Sequence, residues 1–342
     1  MAFLRRGRLI VLAFWAAFAA PSVASADPVA DFYRGRTLSI LVGFGPGGGY
    51  DLTARTLARY FGRHIPGEPN VVVRNVPGAA GLVLANSLYN LSPRDGTEIG
   101  TFNRTIPLDP MLDGTKSQFD AQKFSWIGST SNEVSTCVAW HTAPVKTIQD
   151  AMTTELVVAG TGPAADAVMY PRLMNDILGT KFKMVTGYQG AADSIMAMER
   201  GEAQSFCAWT WGSLTATHGD WLRNRTVNVL VQFGLRKHAD HPEIPLVLDL
   251  AKTTKDRQAL ELMMSPLLFA RPFAAPPGIP QERLTALRKA FDATVRDPDF
   301  LADAGKQGLE IDLVTGAEIE TVLARLYVTP ADVVDRVKAA LK

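Results

Sequence analysis

The stretch Thr37-Leu-Ser-Ile-Leu-Val-Gly-Phe-Gly-Pro-Gly-Gly-Gly-Tyr-Asp51 decides the fold class of this 342-residue chain. Its first six residues are an apolar and β-branched run, which predicts a buried strand. The glycine-rich segment from Gly43 to Gly49 predicts a loop, and Asp51 is expected to cap the helix that follows. The apolar residues of that helix repeat at the spacing of one helix face: Ala54, Leu57, Ala58 and Phe61. Strand, glycine loop and helix together predict the start of an α/β domain.

The same order of elements recurs in the middle of the chain. Residues 156–178 predict a strand, the loop Gly160-Thr-Gly-Pro163 and a helix. Residues 182–200 predict a second such unit around the loop Thr186-Gly-Tyr-Gln-Gly190. Strands that alternate with helices of this length favour parallel sheets with helices on both faces. Because a single sheet serving the whole chain would be large, we expect two α/β lobes.

The composition describes a globular protein and excludes several classes. Apolar residues make up 47% of the chain and charged residues 20%, which excludes disorder, collagen and coiled coil. The 35 basic and 34 acidic residues give a formal net charge of +1, and no basic face is evident. We therefore expect no nucleic-acid partner.

The first 26 residues predict an export signal rather than a folded element. Arg5, Arg6 and Arg8 form a basic start, the apolar run Leu9–Ala20 follows, and the segment ends on an A-x-A pattern at Ala26. A run of this length is too short to cross a bilayer as a helix, which disfavours an uncleaved membrane anchor. We expect cleavage after Ala26 and a periplasmic protein that, with three arginines fewer, has a net charge of −2. The pair Arg5-Arg6 leaves both Sec and twin-arginine export open.

Three glycine loops predict a site for a small anion. They lie around Gly47, Gly162 and Gly190, and each leads into a predicted helix. Loops that follow parallel strands gather at one edge of a sheet, where ligands bind. The unpaired N–H groups of a first helical turn and the helix dipole favour a carboxylate or a phosphate without any basic side chain.

Catalytic and cofactor motifs receive little support. Gly43-Phe-Gly-Pro-Gly-Gly48 fits the G-x-G-x-x-G pattern of dinucleotide-binding proteins, but Arg74-Asn75 stands where their acidic residue is expected. Neither G-x-S-x-G nor H-E-x-x-H occurs, and the five histidines show no ligand or triad spacing. We therefore expect no cofactor, no metal and no catalytic residues. An exported enzyme that acts on a small anion is the alternative.

Cys137 and Cys207 are the two cysteines of the chain, each in a short apolar, strand-like stretch. They form neither a C-x-x-C motif nor a Cys/His ligand pattern, so a metal or thioredoxin-type site has no support. In an oxidising compartment they can form a disulfide, and two buried free thiols are the alternative. The sequence leaves both open.

Phe44-Gly-Pro-Gly-Gly-Gly-Tyr-Asp51 resembles the P-G-G-x-x-D loop of the Bug (TctC-like) family. These proteins are extracytoplasmic solute receptors of tripartite tricarboxylate transporters. Further matches follow in the order of that family and cover essentially all of the mature chain: Asn75-Val-Pro-Gly-Ala-Ala-Gly81, Pro93-Arg-Asp-Gly-Thr97, Gly187-Tyr-Gln-Gly190, Glu199-Arg-Gly-Glu202, and Asp297-Pro298 through Gly308-Leu309.

The resemblance implies a periplasmic-binding-protein (Venus-flytrap) fold, in which each lobe is a mixed or parallel sheet flanked by helices. After a signal peptide at 1–26, the first lobe is expected at 27–128 and 231–342 and the second at 129–230. The implied function is capture of a small organic carboxylate by lobe closure. Delivery to the membrane subunits of a tripartite tricarboxylate-type transporter would follow, by a monomer that is not an enzyme.

Carried over from the family, backbone amides and ordered water at Gly47, Gly48, Tyr188 and Gly190 are expected to hold the carboxylate. Asp51 either caps its helix or accepts a hydrogen bond from an amino-acid or hydroxy-acid ligand. Arg104 either pairs with a second carboxylate or is a solvated loop arginine. The expected ligand-binding set is Phe44, Pro46, Gly47, Gly48, Tyr50, Asp51, Asn103, Arg104, Thr161, Gly162, Tyr188, Gln189, Gly190 and Trp209.

Two features depart from the family pattern. Gly49-Tyr50 replaces a smaller pair before the aspartate, and Trp209-Thr-Trp211 places two large aromatic residues where the family has its strand back toward the hinge. Bulky side chains there would narrow the cleft or stack on a flat ligand. Packing of at least one of these tryptophans in the core is the alternative.

Overall fold

The computed structural model describes residues 27–112, 114–163 and 165–341, so the expected signal peptide and its cleavage after Ala26 lie outside the described residues. The strands, in chain order, are β1 (Thr37–Val42), β2 (Asn70–Asn75), β3 (Glu98–Thr101), β4 (Ser125–Ser129), β5 (Ser135–Trp140), β6 (Leu156–Gly160), β7 (Phe182–Thr186), β8 (Ser205–Thr210), β9 (Val227–Phe233), β10 (Pro272–Ala275) and β11 (Val314–Thr315). The α-helices are α1 (Pro28–Tyr33), α2 (Gly49–Phe61), α3 (Leu82–Asn90), α4 (Asp109–Leu112), α5 (Asp166–Leu178), α6 (Ala191–Glu199), α7 (Trp211–Arg223), α8 (Thr254–Met264), α9 (Gln281–Arg296), α10 (Pro298–Lys306), α11 (Gly316–Leu326) and α12 (Ala331–Leu341). Across these ranges every helix is too short or too polar to span a bilayer.

Two mixed sheets organise the strands. The first has the order β11-β4-β10-β3-β1-β2 and the second the order β7-β6-β8-β5-β9. In each sheet three strands run parallel, namely β1 to β3 in the first and β6 to β8 in the second. The chain enters the second sheet between β4 and β5 and returns between β9 and β10, and these four strands pair antiparallel with their neighbours. The predicted α/β fold with two lobes is confirmed.

The glycine loop and its helix form as the sequence predicts, with one correction. Strand β1 is almost continuously buried, because helices cover both faces of a parallel sheet. Helix α2 buries Ala54, Leu57 and Phe61 against the core of the first lobe. The prediction that Asp51 caps this helix is wrong: the helix begins at Gly49, its N-cap is Gly48, and Asp51 is the third helical residue.

The C-terminal helix packs away from the first sheet. Helix α12 lies against α5 and α8 and also contacts α4. Its Arg336 forms ion pairs with Asp176 of α5 and with Asp256 of α8, the second at 2.8 Å. Helix α5 follows a strand of the second sheet, whereas α12 comes from the part of the chain expected in the first lobe. The boundaries expected at 128/129 and 230/231 stay a prediction.

The two cysteines, whose state the sequence left open, form a disulfide. Cys137 on β5 and Cys207 on β8 are register partners in the second sheet and are bonded to each other. Both are fully buried in the core of this lobe. Because 70 residues separate them in sequence, the bond closes a covalent loop that contains β6, β7 and parts of β5 and β8.

Candidate functional site

A cavity of about 250 Å³ lies between the two lobes. Its walls come from the N-terminal ends of α2, α5 and α6, from the segment after β3, from β8 and from α7. Helices α2, α5 and α6 each follow a parallel strand, and ligands of open α/β sheets bind at that edge. Helix N-termini from both lobes therefore face one cavity.

The start of α2 is held by a buried carboxylate. Asp51 is 3% exposed, and its Oδ2 accepts a hydrogen bond from the Gly47 N–H at 2.9 Å. Arg55 Nε donates to the same carboxylate, and Asn75 Nδ2 donates to Asp51 Oδ1 at 2.8 Å. Burial by itself would raise the pKa of Asp51, but these donors outweigh it and hold the pKa below its usual value. The carboxylate therefore fixes the glycine loop and does not line the cavity.

The start of α6 is held by a similar aspartate that accepts fewer hydrogen bonds. Gly190 is its N-cap, and Asp193, the third helical residue, accepts a hydrogen bond from the Gln189 N–H at 3.1 Å. Gly190, Ala191 and Ala192 all line the cavity. Because the first-turn N–H groups of a helix have no partner within the helix, those of α2 and α6 are available to a ligand.

The two lobes touch across the cavity. The Gly45 N–H points to the Gln189 carbonyl at 3.4 Å, which joins the first glycine loop to the third. Asn103 Nδ2 of the first lobe donates to Asp166 Oδ1 at the start of α5 at 3.0 Å. These contacts connect segments that follow strands of the two sheets.

Arg104 is a buried cation whose two Nη atoms are paired. It is 1% exposed and forms an ion pair with Asp166, a longer one with Glu133 at 3.4 Å, and a hydrogen bond from Nη2 to Ser135 Oγ at 3.0 Å. Burial would lower the pKa of Arg104, but Asp166, Tyr50, Tyr170 and Glu133 together outweigh it and raise the pKa above its usual value. The alternative that Arg104 is a solvated loop residue is wrong. Its Nε atom is buried without a partner among the described residues.

A second guanidinium, which the sequence did not indicate, lies beside the first. Arg271 is 7% exposed and shares Glu133 with Arg104, again at 3.4 Å. Its guanidinium carbon lies 4.6 Å from the centre of the Tyr50 ring, a cation–π contact. Arg271 also directs Nη2 to Thr210 Oγ1 at 3.4 Å. Two cations and two carboxylates therefore balance at this end of the cavity.

Aromatic side chains form much of the remaining wall. The rings of Phe44 and Tyr50 stack at 4.6 Å, and the Tyr50 hydroxyl accepts a hydrogen bond from the Arg104 N–H at 3.0 Å. Trp209 also lines the cavity and is 3% exposed, with edge contacts to Phe206 and to the imidazole of His218. Burial lowers the pKa of His218, so this imidazole is neutral at pH 7.

Of the residues that the sequence suggested, some line the cavity and some do not. Those that line it are Phe44, Gly47, Gly48, Tyr50, Asn103, Arg104, Thr161, Gly190 and Trp209. Those that lie outside it are Pro46, Asp51, Gly162, Tyr188 and Gln189. Tyr188 instead packs on a small cluster of alanines in the second lobe. Trp211, the second tryptophan of its motif, packs against His238 and His241.

Sequence reasoning missed several lining residues, among them Asp166, His218, Glu199 and Arg271. Asp166 could have been found, because it opens the helix after the second glycine loop. Arg271 carries no such signal, since it enters from a distant connection before β10. The described residues contain no cluster of His, Cys, Asp and Glu that could hold a metal ion.

The model of the tripartite tricarboxylate transporter family receptor (TctC) matches residues 54–322. The chain belongs to this family. It is 24% identical over 274 residues to the UPF0065 protein in gbd 5'region of Cupriavidus necator, covering 78% of each chain. Among solved structures it resembles the periplasmic binding protein BugD, with 19% identity, a TM-score of 0.68, and 86% of this chain and 95% of that one covered.

A second similar structure is MatC from Rhodopseudomonas palustris with bound malate. The two chains are 17% identical with a TM-score of 0.68, and the match covers 90% of this chain and 99% of that one. These structural matches show the fold, and the match to the family model shows that the chain belongs to the TctC family. The family and the fold are those of periplasmic solute-binding receptors, which confirms the resemblance found in the glycine motifs.

Proposed function

We propose that this TctC-family protein captures a small organic carboxylate in the periplasm by closure of its two lobes, and that the closed form delivers it to the membrane subunits of a tripartite tricarboxylate-type transporter. The observation that carries the proposal is the meeting of the α2 and α6 N-termini, one from each lobe, at a single cavity. Two positive dipole ends that converge on one cavity favour an anion there.

Closure explains how such a site is selective. Each lobe supplies one helix start, so the anion contacts both sets of amides in the closed form alone. A ligand that binds the closed form better shifts the population toward it. The bound malate of MatC supports a carboxylate as the anion for a receptor of this fold.

A thermal-shift screen of the exported protein tests the proposal directly. The ligands are mono-, di- and tricarboxylates, aromatic acids and amino acids, with phosphate esters and sugars as competing classes. A carboxylate at about 100 times its dissociation constant is expected to add roughly 2.7 kcal/mol of stability. A shift caused by a phosphate ester or a sugar and by no carboxylate would refute the anion class.

Two glycine variants place the site. A Cβ at Gly190 would meet no atom within 4 Å, and one at Gly48 would meet only the Ala191 nitrogen at 3.9 Å. Gly48→Trp and Gly190→Trp are therefore expected to fold while their indoles fill the cavity and abolish binding. Gly305→Trp, at an equally open position in α10, is the matched control and should bind like the wild type. Unchanged affinity in both cavity variants would move the site elsewhere.

An exported enzyme on the same scaffold was the alternative, and no contact in the described ranges favours it. The hydroxyl nearest to a lining imidazole is that of Thr217, 2.7 Å from His218 Nδ1. This hydroxyl already donates to the Ser213 carbonyl at 2.7 Å, so His218 does not receive its proton. Turnover of a ligand found in the screen would support the enzyme alternative.

A further inference from the structure

Helix α6 runs along the cavity, and the residues at its two ends differ in chemistry. Ala191, Ala192, Ile195, Met196 and Glu199 of this helix all line the cavity. At a rise of 1.5 Å per residue, Ala191 and Glu199 lie about 12 Å apart along the helix axis. The ligand's carboxylate, placed at the amide-rich end by the proposed function, therefore has the rest of the molecule directed toward Met196 and Glu199.

The two guanidiniums that line the described part of the cavity are already paired with carboxylates. Arg104 is engaged by Asp166, Glu133 and Ser135. Arg271 is engaged by Glu133 and lies over the Tyr50 ring. To pair bidentately with a second ligand carboxylate through its Nη atoms, either guanidinium would have to leave Asp166 or Glu133, which is strongly unfavourable. The buried Nε of Arg104 offers a single hydrogen bond.

The far end of the cavity contains an acidic side chain. Glu199 lines it and is exposed. His218, the nearest imidazole on this side, is neutral at pH 7, because burial lowers its pKa more than the nearby Glu199 and Asp220 raise it. A ligand with a carboxylate at each end would thus place its second charge beside Glu199 with no compensating cation.

An irregularity in the backbone of β8 precedes an aromatic side chain of the cavity wall. Ala208 has a φ of +64°, and the register of β8 against β5 shifts there, so that Ala208 is the extra residue of a β-bulge. A bulge redirects the side chains that follow it, and the next residue is Trp209. Ile195 and Phe206 complete the apolar wall around it.

We propose that the site selects an aromatic monocarboxylate, with Trp209 contacting the ring and Glu199 rejecting a second carboxylate. This inference rests on the proposed function and names its substrate class. It separates this chain from a receptor of the same fold whose structure contains malate, a dicarboxylate.

Three matched ligand pairs test the inference by isothermal titration of the protein purified from the periplasm. Benzoate against terephthalate, and hexanoate against adipate, differ by one terminal carboxylate. Benzoate against cyclohexanecarboxylate differs in flatness at nearly constant size. We expect each monocarboxylate to bind at least tenfold more tightly than its dicarboxylate, and benzoate at least fivefold more tightly than cyclohexanecarboxylate.

Two variants assign the preference to residues. Trp209→Leu keeps an apolar wall and is expected to bring the benzoate-to-cyclohexanecarboxylate ratio close to one, whereas Trp211→Leu, two residues away and outside the cavity, should leave it unchanged. Glu199→Gln is expected to strengthen terephthalate binding several-fold with little effect on benzoate. Glu202→Gln, an exposed acid just beyond α6, is its control.

The outcomes separate the two proposals. Tighter binding of adipate, malate or terephthalate than of any monocarboxylate would overturn the inference and leave the proposed function intact. Equal ratios in Trp209→Leu and the wild type would also overturn it. If no carboxylate of any kind binds, the proposed function itself fails.

Discussion

The two helix starts that face the cavity are built alike but anchored differently. Helices α2 and α6 each have a glycine N-cap and an aspartate as third residue, and each aspartate accepts a hydrogen bond from the amide of the residue before the cap. Asp51 is buried and has Arg55 and Asn75 as further donors. Asp193 is exposed and, in the described part of the chain, has the single bond from Gln189.

This difference indicates that the two glycine loops are held in place in different ways. The first glycine loop is held in shape by its own lobe through a buried polar network, and such networks are rigid when every member is satisfied. The third glycine loop has fewer contacts within its own lobe and contacts the first loop through the Gly45–Gln189 bond; under the proposed function, closure and the ligand order it further. The second lobe has a different constraint, the disulfide between β5 and β8.

The largest effect is expected from the disulfide, which constrains the second lobe and not the first. Replacing both cysteines in Cys137→Ser/Cys207→Ser should lower the free energy of unfolding by about 4 kcal/mol, because the bond closes a long loop of the unfolded chain. Urea denaturation followed by tryptophan fluorescence measures this. Chemical reduction of the wild type should reproduce the shift, and a change below about 1 kcal/mol would show that the second lobe does not depend on the bond.

Removing the buried anchor of the first loop should have the next largest effect. Asp51→Ala leaves the Gly47 N–H without its acceptor and removes one of the two acceptors of the Asn75 amide, so we expect a loss of about 2–3 kcal/mol in unfolding free energy. Ligand affinity should fall at least tenfold, since the α2 amides are no longer held in place. Denaturation and titration on the same preparation check both. Wild-type affinity in a folded Asp51→Ala protein would contradict a pre-formed first loop.

The lowered pKa of the Asp51 carboxylate predicts that its contribution to stability depends on pH. Its pKa is lowered in the folded protein because the donors from Arg55, Gly47 and Asn75 outweigh burial. Its contribution is therefore fully present above the unfolded pKa of about 3.9 and is lost as the pH falls through the lower folded value. The stability difference between wild type and Asp51→Ala should be constant above about pH 5 and narrow below pH 4. A difference that widens in acid would reverse the sign.

The smallest effect is expected at the lighter anchor. Asp193→Ala removes one exposed hydrogen bond and should cost less than about 1 kcal/mol of stability. Affinity should weaken less than in Asp51→Ala, because the third loop is ordered by closure and by the ligand. Thermal denaturation and titration in parallel with Asp51→Ala give the comparison. Equal losses in the two variants would mean that both loops are anchored alike.

Local patterns in the sequence predicted the parts of the fold that depend on neighbouring residues. The strand, glycine loop and helix around Gly47 and the units around Gly162 and Gly190 form where the periodicity placed them. The position of Asp51 could not be predicted to one residue, because Gly48 and Asp51 both suit a helix start. Which of them is the cap depends on Arg55 and Asn75, and the latter comes from another strand.

The part of the site that depends on long-range packing was beyond such reasoning. Arg271 meets Arg104 only because β10 returns to the first sheet beside β3. Trp209 reaches the cavity through a bulge at Ala208, and nothing in an Ala-Trp pair signals a left-handed backbone. The resemblance to the TctC family placed Trp209 near the cleft, but the pairing of both guanidiniums emerged only from the structure.

The central claim is that the amides of two helix starts hold a carboxylate. The most direct measurement is isothermal titration of the exported protein with a carboxylate found in the screen and with its primary amide, which has the same shape and no charge. We predict that the carboxylate binds and that the amide binds at least 100-fold more weakly, in the wild type and in Gly305→Trp, with neither bound by Gly190→Trp. Comparable affinities for the carboxylate and its amide would contradict the account.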